Sequence, residues 1–212
     1  MRGKSVRLAL KPDEKSIKEA ERLLMGIPGG VEKVAALAVN RSLEAGKTTM
    51  RRHIGKNYTI NQWLAAESIY TVKAYPKVPD GVLGAKGSPL SSRLFDHDPA
   101  GADTTGSNRR QVRLKVKKKS SPGALRTGFV WDGGHGTDLH SIYIRTGEKR
   151  IASKGYHKGK KVAVIRKSLS PSVPQMVERD GGSELIQRRM EEILAKRMDH
   201  ETLRLLEKVT KK

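Results

Sequence analysis

Arg109-Arg110-Gln111-Val112-Arg113-Leu114-Lys115-Val116-Lys117-Lys118-Lys119 is the stretch on which the reading of this chain turns. Val112, Leu114 and Val116 alternate with Arg113, Lys115 and Lys117, the period of a half-buried strand with one apolar and one wholly basic face. Strand geometry would space those three cations ~7 Å apart, close to the phosphate spacing along one nucleic-acid strand. Arg109, Arg110, Arg113, Lys115, Lys117, Lys118 and Lys119 are therefore the candidate contacts to nucleic acid or to an acidic partner, against a plainer reading as a solvated sheet face. No aromatic residue interleaves with them, so contact is expected at the sugar-phosphate backbone, without base stacking or sequence preference.

The rest of the charge agrees with that focus. The chain carries 43 Lys and Arg against 22 Asp and Glu, a net +21 over 212 residues. Residues 109–167 hold 17 of the basic and only 3 of the acidic side chains, so two thirds of the excess lies in one segment. Such self-repulsion calls for a polyanion, an acidic protein surface or a crowded assembly. Apolar residues make up 36% of the chain, below the roughly 45–50% of ordinary globular domains, which predicts a small core. With no Cys, disulfides, thiolate metal sites and Cys nucleophiles are excluded. Charge interrupts the first ten residues before a signal-peptide core could form, and no apolar run approaches membrane-spanning length. A soluble protein made in a cytoplasm, with no membrane partner, is expected.

Outward from the basic strand, Leu125 to Trp131, Leu139 to Arg145 and Lys161 to Lys167 read as strands, punctuated by Asp132-Gly133-Gly134, Thr146-Gly147 and the Gly155 to Gly159 region. Ile69 to Tyr75, β-branched and aromatic and followed by Pro76, completes an antiparallel sheet of about five strands. Between them, residues 76–108 are rich in Gly, Pro, Ser and Asp and read as a flexible arm. On the N-terminal side, Pro12-Asp13-Glu14 opens a short helix that Pro28-Gly29-Gly30 ends. A stripe from Val31 through Ala35, Val39, Leu43, Gly46 and Met50 to Ile54 makes a helix of about seven turns. Thr59 and Gln62 have capping-box spacing for another short helix, as do Ser172 and Gln175. Ser183 to Val209 reads as a long amphipathic helix.

Other motifs fail on inspection. Gly46-Lys47-Thr48 resembles the end of a P-loop, but Arg41 stands where its first Gly belongs and the segment lies inside a helix pattern. There Gly46 would instead allow close helix packing. His135, Asp138 and His140 could ligate a metal, although a Gly-rich turn with surface histidines explains them more simply. No nucleophile elbow, paired acidic motif or metal-binding helix supports catalysis, so neither an enzyme nor a cofactor is expected.

The order of segments carries a family resemblance. After the basic strand come Ser121-Pro122-Gly123-Ala124-Leu125-Arg126-Thr127-Gly128-Phe129-Val130 and Gly134-His135-Gly136, then Ile142-Tyr143-Ile144-Arg145-Thr146-Gly147 and Val164-Ile165-Arg166-Lys167-Ser168-Leu169-Ser170-Pro171-Ser172-Val173-Pro174-Gln175-Met176. This resembles the minor tail protein Z, or tail completion, family of long-tailed bacteriophages. Asn40-Arg41-Ser42-Leu43, running on to Tyr58 and Ile60, is similar to that family's long basic helix. The resemblance implies a non-enzymatic virion protein at the head-proximal end of the tail, present in host cytoplasm during assembly. It also implies other tail and neck proteins as partners, a homo-oligomeric ring, and non-specific contact with phage DNA. Pro171, Val173, Pro174 and Met176 are the candidate subunit contact, the alternative being an ordinary helix start packed on its own core. The expected fold is thus α+β and one domain: a helical part at 12–66, the arm at 76–108, the basic sheet at 109–167 and C-terminal helices at 172–209. The competing function is a stand-alone, sequence-independent nucleic-acid-binding protein.

Overall fold

The N-terminal sequence alternates Val6, Leu8 and Leu10 with polar or small residues, and it forms a strand, β1 (Lys4–Leu10). A computed structural model describes residues 3–101, 111–132 and 140–210 and shows an α+β fold with antiparallel sheets, N-terminal helices and a long C-terminal helix. By contact, the chain read as one domain clusters into two compact units: residues 1–54, 62–88 and 172–212, and residues 55–61 and 89–171. No helix among the described residues is long and apolar enough to cross a membrane.

In the first unit, Asp13 caps α1 (Glu14–Leu23), its carboxylate accepting from the Ser16 amide at 3.3 Å. Gly30–Asn57 is the long helix α2, whose last turn from Gly55 belongs to the second unit, followed by α3 (Gln62–Glu67) and β2 (Ile69–Val72). Asn40 on α2 exchanges two hydrogen bonds of 2.9 Å with the backbone of Ala74, fixing the end of the β2 segment. The sheet order is β1-β3-β2, with β3 (Gly81–Gly87) central and Leu83 and Ala85 fully buried. This corrects the arm expected at 76–108, of which Gly81–Gly87 is a core strand. Its glycines, which read as loop, are where neighbours press in: a Cβ on Gly81 would lie 2.7 Å from Leu43, and one on Gly84 2.5 Å from Tyr70.

Helix α4 (Val173–Glu178) packs on β1 and β3, and α5 (Gly182–Thr210) runs past α1 and β1. Gly46 of α2 faces Met190 of α5 and Leu83 of β3 so closely that a Cβ would lie 2.5 and 2.9 Å from them. The P-loop resemblance ends there, because Gly46-Lys47-Thr48 is mid-helix.

The second unit has three small sheets. β4 (Leu90–Ser91) pairs with β11 (Leu169–Ser170). β6 (Val112–Lys115) lies between β5 (Asp96–Asp98) and β7 (Gly123–Leu125). β9 (His140–Ile151) lies between β8 (Gly128–Asp132) and β10 (Lys161–Lys167). The single five-stranded sheet is therefore a correction too, since β2 joins β1 and β3 while the basic strand pairs apart from β8–β10. Val112, Val130 and Ile142 form the buried cluster here, with Leu114 and Leu125 against it. Ser92 Oγ sits 2.8 Å from Ser168 Oγ and 3.0 Å from Ser170 Oγ, a buried hydroxyl cluster holding the 90–92 and 168–170 segments together.

Candidate nucleic-acid interface

The basic strand is only partly available. Arg109 and Arg110 lie outside the described residues. Val112 is buried and Arg113 exposed, as alternation requires, while Lys115 and Lys117 are half-buried and Lys118 and Lys119 exposed by whole-residue area. Yet Lys118 donates from Nζ to the Gly55 carbonyl at 2.6 Å and from its backbone amide to Asn57 O at 2.9 Å. Both carbonyls belong to the last turn of α2, where an ammonium meets the negative end of the helix dipole. Lys117 Nζ stands 6.0 Å from the centre of the buried Tyr58 ring. Thr59 also serves this junction: its hydroxyl donates to Lys115 O at 2.6 Å and accepts from the Asp96 amide at 3.1 Å, so it does not cap α3.

Nor is the sheet face wholly basic. Asp96 and Asp98 on β5 stand opposite Lys115 and Arg113, alternating sign across the strands. Of the five described cations expected to meet phosphate, Arg113 and Lys119 are the exposed pair that no such junction engages, and Arg113 faces a carboxylate strand.

The larger basic surface is the β9–β10 hairpin, which the sequence pattern does not single out. Residues 145–167 contain nine Lys or Arg, Arg145 and Lys167 included, and one acid, Glu148. Glu148 reaches Arg166 at 3.9 Å. Lys149, Arg150, Lys154, Lys158, Lys160 and Lys161 are all exposed, as is nearly every residue between Gly147 and Lys161. The ribbon is thus solvated on both faces, so hydrophobic burial does little to explain its length. A bulge carries β9 past Thr146-Gly147: Arg145 pairs with Ile165 but Lys149 with Ala163. Gly147 takes φ +82°, and the Thr146 hydroxyl donates to Val164 O at 3.1 Å. What reads as a turn ending a strand is a bulge inside a longer one. The tip is closed by backbone bonds from Ala152 to Lys160 O and from Gly159 to Ala152 O, at 3.0 and 2.9 Å. Tyr156 there is 91% exposed, with Lys160 Nζ 5.7 Å from its ring centre. Its setting between Lys154 and Lys158 is the readable signal, an aromatic ring within a run of cations.

The proposed subunit contact is also corrected. Val173 is 1% and Met176 0% exposed, and Pro174 is buried with them in the first unit. Their apolar surface is spent on their own fold, and only Pro171 is half-exposed. The capping box is present, Gln175 Oε1 accepting from the Ser172 amide at 3.0 Å. His135 and Asp138 lie outside the described residues, as does the side chain of His140; among the described residues no cluster could hold a metal ion.

Comparison with protein-family models, curated proteins and solved structures finds no match. The resemblance to the tail completion family therefore rests on the sequence alone.

Proposed function

We propose that this chain is a non-enzymatic structural protein of a long-tailed bacteriophage, working at the head-proximal end of the tail, and that its β9–β10 hairpin lies against duplex DNA. The observation carrying the DNA part is the hairpin: six exposed cations between Lys149 and Lys161, on a ribbon too solvated to be held by a core. Flexible, spaced ammonium groups suit phosphates of any sequence, and counterion release would drive their binding. The virion part is supported by the segment order from the basic strand to Pro171-Ser172-Val173-Pro174. A second reading, a stand-alone sequence-independent binder, is favoured by the same cations taken without that order.

Molar mass in solution, with electron microscopy of any oligomer and duplex binding measured across salt, separates the two. The tail reading expects closed rings, or rings formed on DNA or with tail proteins. A chain that stays monomeric or dimeric under all these conditions while binding duplex at moderate salt would favour the second reading. Failure to bind duplex at low salt would remove the DNA contact from both.

A further inference from the structure

The sheet β8–β9–β10 has one face that its neighbours do not account for. Phe129 stands opposite Tyr143, and Tyr143 opposite Lys167, so the three share a face across all three strands. By alternation Trp131 on β8 and Arg145 and Ile165 on β9 and β10 lie on it as well. Val130 and Ile142 point the other way, into the buried cluster. The chain has only nine aromatic residues, so three on one small face is a concentration that composition does not predict.

These rings are open to solvent. Trp131 is 40% exposed, Ile165 38%, and Phe129, Tyr143 and Arg145 are half-buried. Trp131 meets Tyr143 edge-on with centroids 5.6 Å apart, and Phe129 lies stacked on Tyr143 at 6.1 Å. The Arg145 guanidinium sits 4.2 Å from the Phe129 ring centre, a planar cation held against an aromatic face. Past the bulge the same side continues into Lys149 and Lys161, since Lys149 pairs with Ala163 and Ile151 with Lys161. Aromatic rings followed by a line of cations form a continuous track.

We infer that this face binds single-stranded nucleic acid, with unpaired bases stacked on Trp131, Phe129 and Tyr143 and the following phosphates carried by Arg145, Lys167 and Lys149. A duplex hides its base faces in its own stack and could use only the cations. A single strand offers both, and every base has a π-face, so the track selects for strandedness over sequence. The complementarity of charge favours nucleic acid over an apolar protein segment, which would leave Arg145 and Lys167 without an anion. The plainer role of the rings, cross-strand stabilisation of β8–β9, requires no ligand and predicts no response to one.

The chain has two Trp, so Trp63→Phe leaves Trp131 as its fluorescent reporter. That protein is titrated with a 15-nucleotide oligo(dT), with oligo(U) of the same length, and with a duplex of equal phosphate number, binding being followed separately by anisotropy of labelled strands. Trp131 emission should be quenched by both single strands and little by duplex. Response to only one of the two would assign the site to DNA or to RNA. Tyr143→Leu, which keeps an apolar side chain but removes the ring, should weaken single-strand binding about 5- to 100-fold while Tyr143→Phe leaves it unchanged. Duplex affinity should move less than twofold in both, so failure of the hairpin reading and failure of this one can be told apart. Unquenched Trp131 at saturating oligo(dT) and oligo(U), or no single-strand binding at all, would overturn the inference. Should Tyr143→Leu fail to fold, the quenching result with the ring intact still decides it.

Discussion

Neutralising the hairpin should change the salt dependence of duplex binding by an amount set by the residues changed. Lys149, Lys154, Lys158 and Lys161 are exposed, and replacing all four by Gln removes charge but leaves polar, flexible side chains. Lys160 is kept, because it lies over Tyr156. Removing one phosphate contact lowers the slope of log K against log salt by ~0.9, so removing four corresponds to a fall of ~3.6. Between 50 and 200 mM salt that is a difference of ~2 decades in affinity change. The assay is anisotropy of a labelled 20-base-pair duplex at four or more salt concentrations, with circular dichroism and thermal melting as fold controls. Since none of the four is buried, the melting temperature should hold, or rise slightly as self-repulsion falls. A slope that changes by less than about one with the fold intact would refute the reasoning, because these four lysines would then carry at most a single contact. Arg113→Gln with Lys119→Gln, the exposed remainder of the basic strand, should lower the slope by less than ~2.

Gly46→Ala should destabilise the first unit by ~1–3 kcal/mol in chemical denaturation despite better helix propensity, since its Cβ meets Met190 and Leu83. In a Met190→Ala background the same change should cost less, and stabilisation by Gly46→Ala alone would contradict the packing. Val173→Asp buries a carboxylate at a 1% exposed site and should cost ~4 kcal/mol or more, seen as loss of the cooperative melt; a folded monomer that merely fails to assemble would restore the subunit contact. Hydrogen bonds from Ser16 hold the Asp13 carboxyl below its ordinary pKa. A depressed folded-state pKa stabilises above the unfolded value and loses that contribution as pH falls through the folded one, so Asp13→Ala should cost ~1 kcal/mol at pH 7 and less in acid.

Local patterns carried much of this fold. Asp13, the Val31 to Ile54 stripe, the Ser172–Gln175 box and the alternation around Val112 each specify a local conformation without distant help, and the elements formed where those signals lie. Segments whose chemistry answers to distant neighbours were harder. β3 looked like an arm because Gly81 and Gly84 make room for Leu43 and Tyr70, neighbours that arrive only on folding. Thr59 had cap spacing, but its hydroxyl was better satisfied by Lys115 O, 56 residues away. Gly147 marked a turn in sequence and a bulge in space, which hid the length of the hairpin. The same loss of information moved the candidate site: a charge count identifies a basic segment, but only pairing shows that Lys118 holds the end of α2 while Lys149 and Lys161 face solvent.

Lysine reactivity in the unmutated protein tests the central claim most directly. The chain is acetylated briefly with and without a saturating 20-base-pair duplex at low salt, and each lysine is quantified by mass spectrometry. Protection should fall on Lys149, Lys154, Lys158, Lys160 and Lys161, with Lys118, already bonded to Gly55 O, slow to react in both states. Protection confined to Lys115 and Lys119, with the hairpin lysines as reactive as in the free protein, would contradict the account.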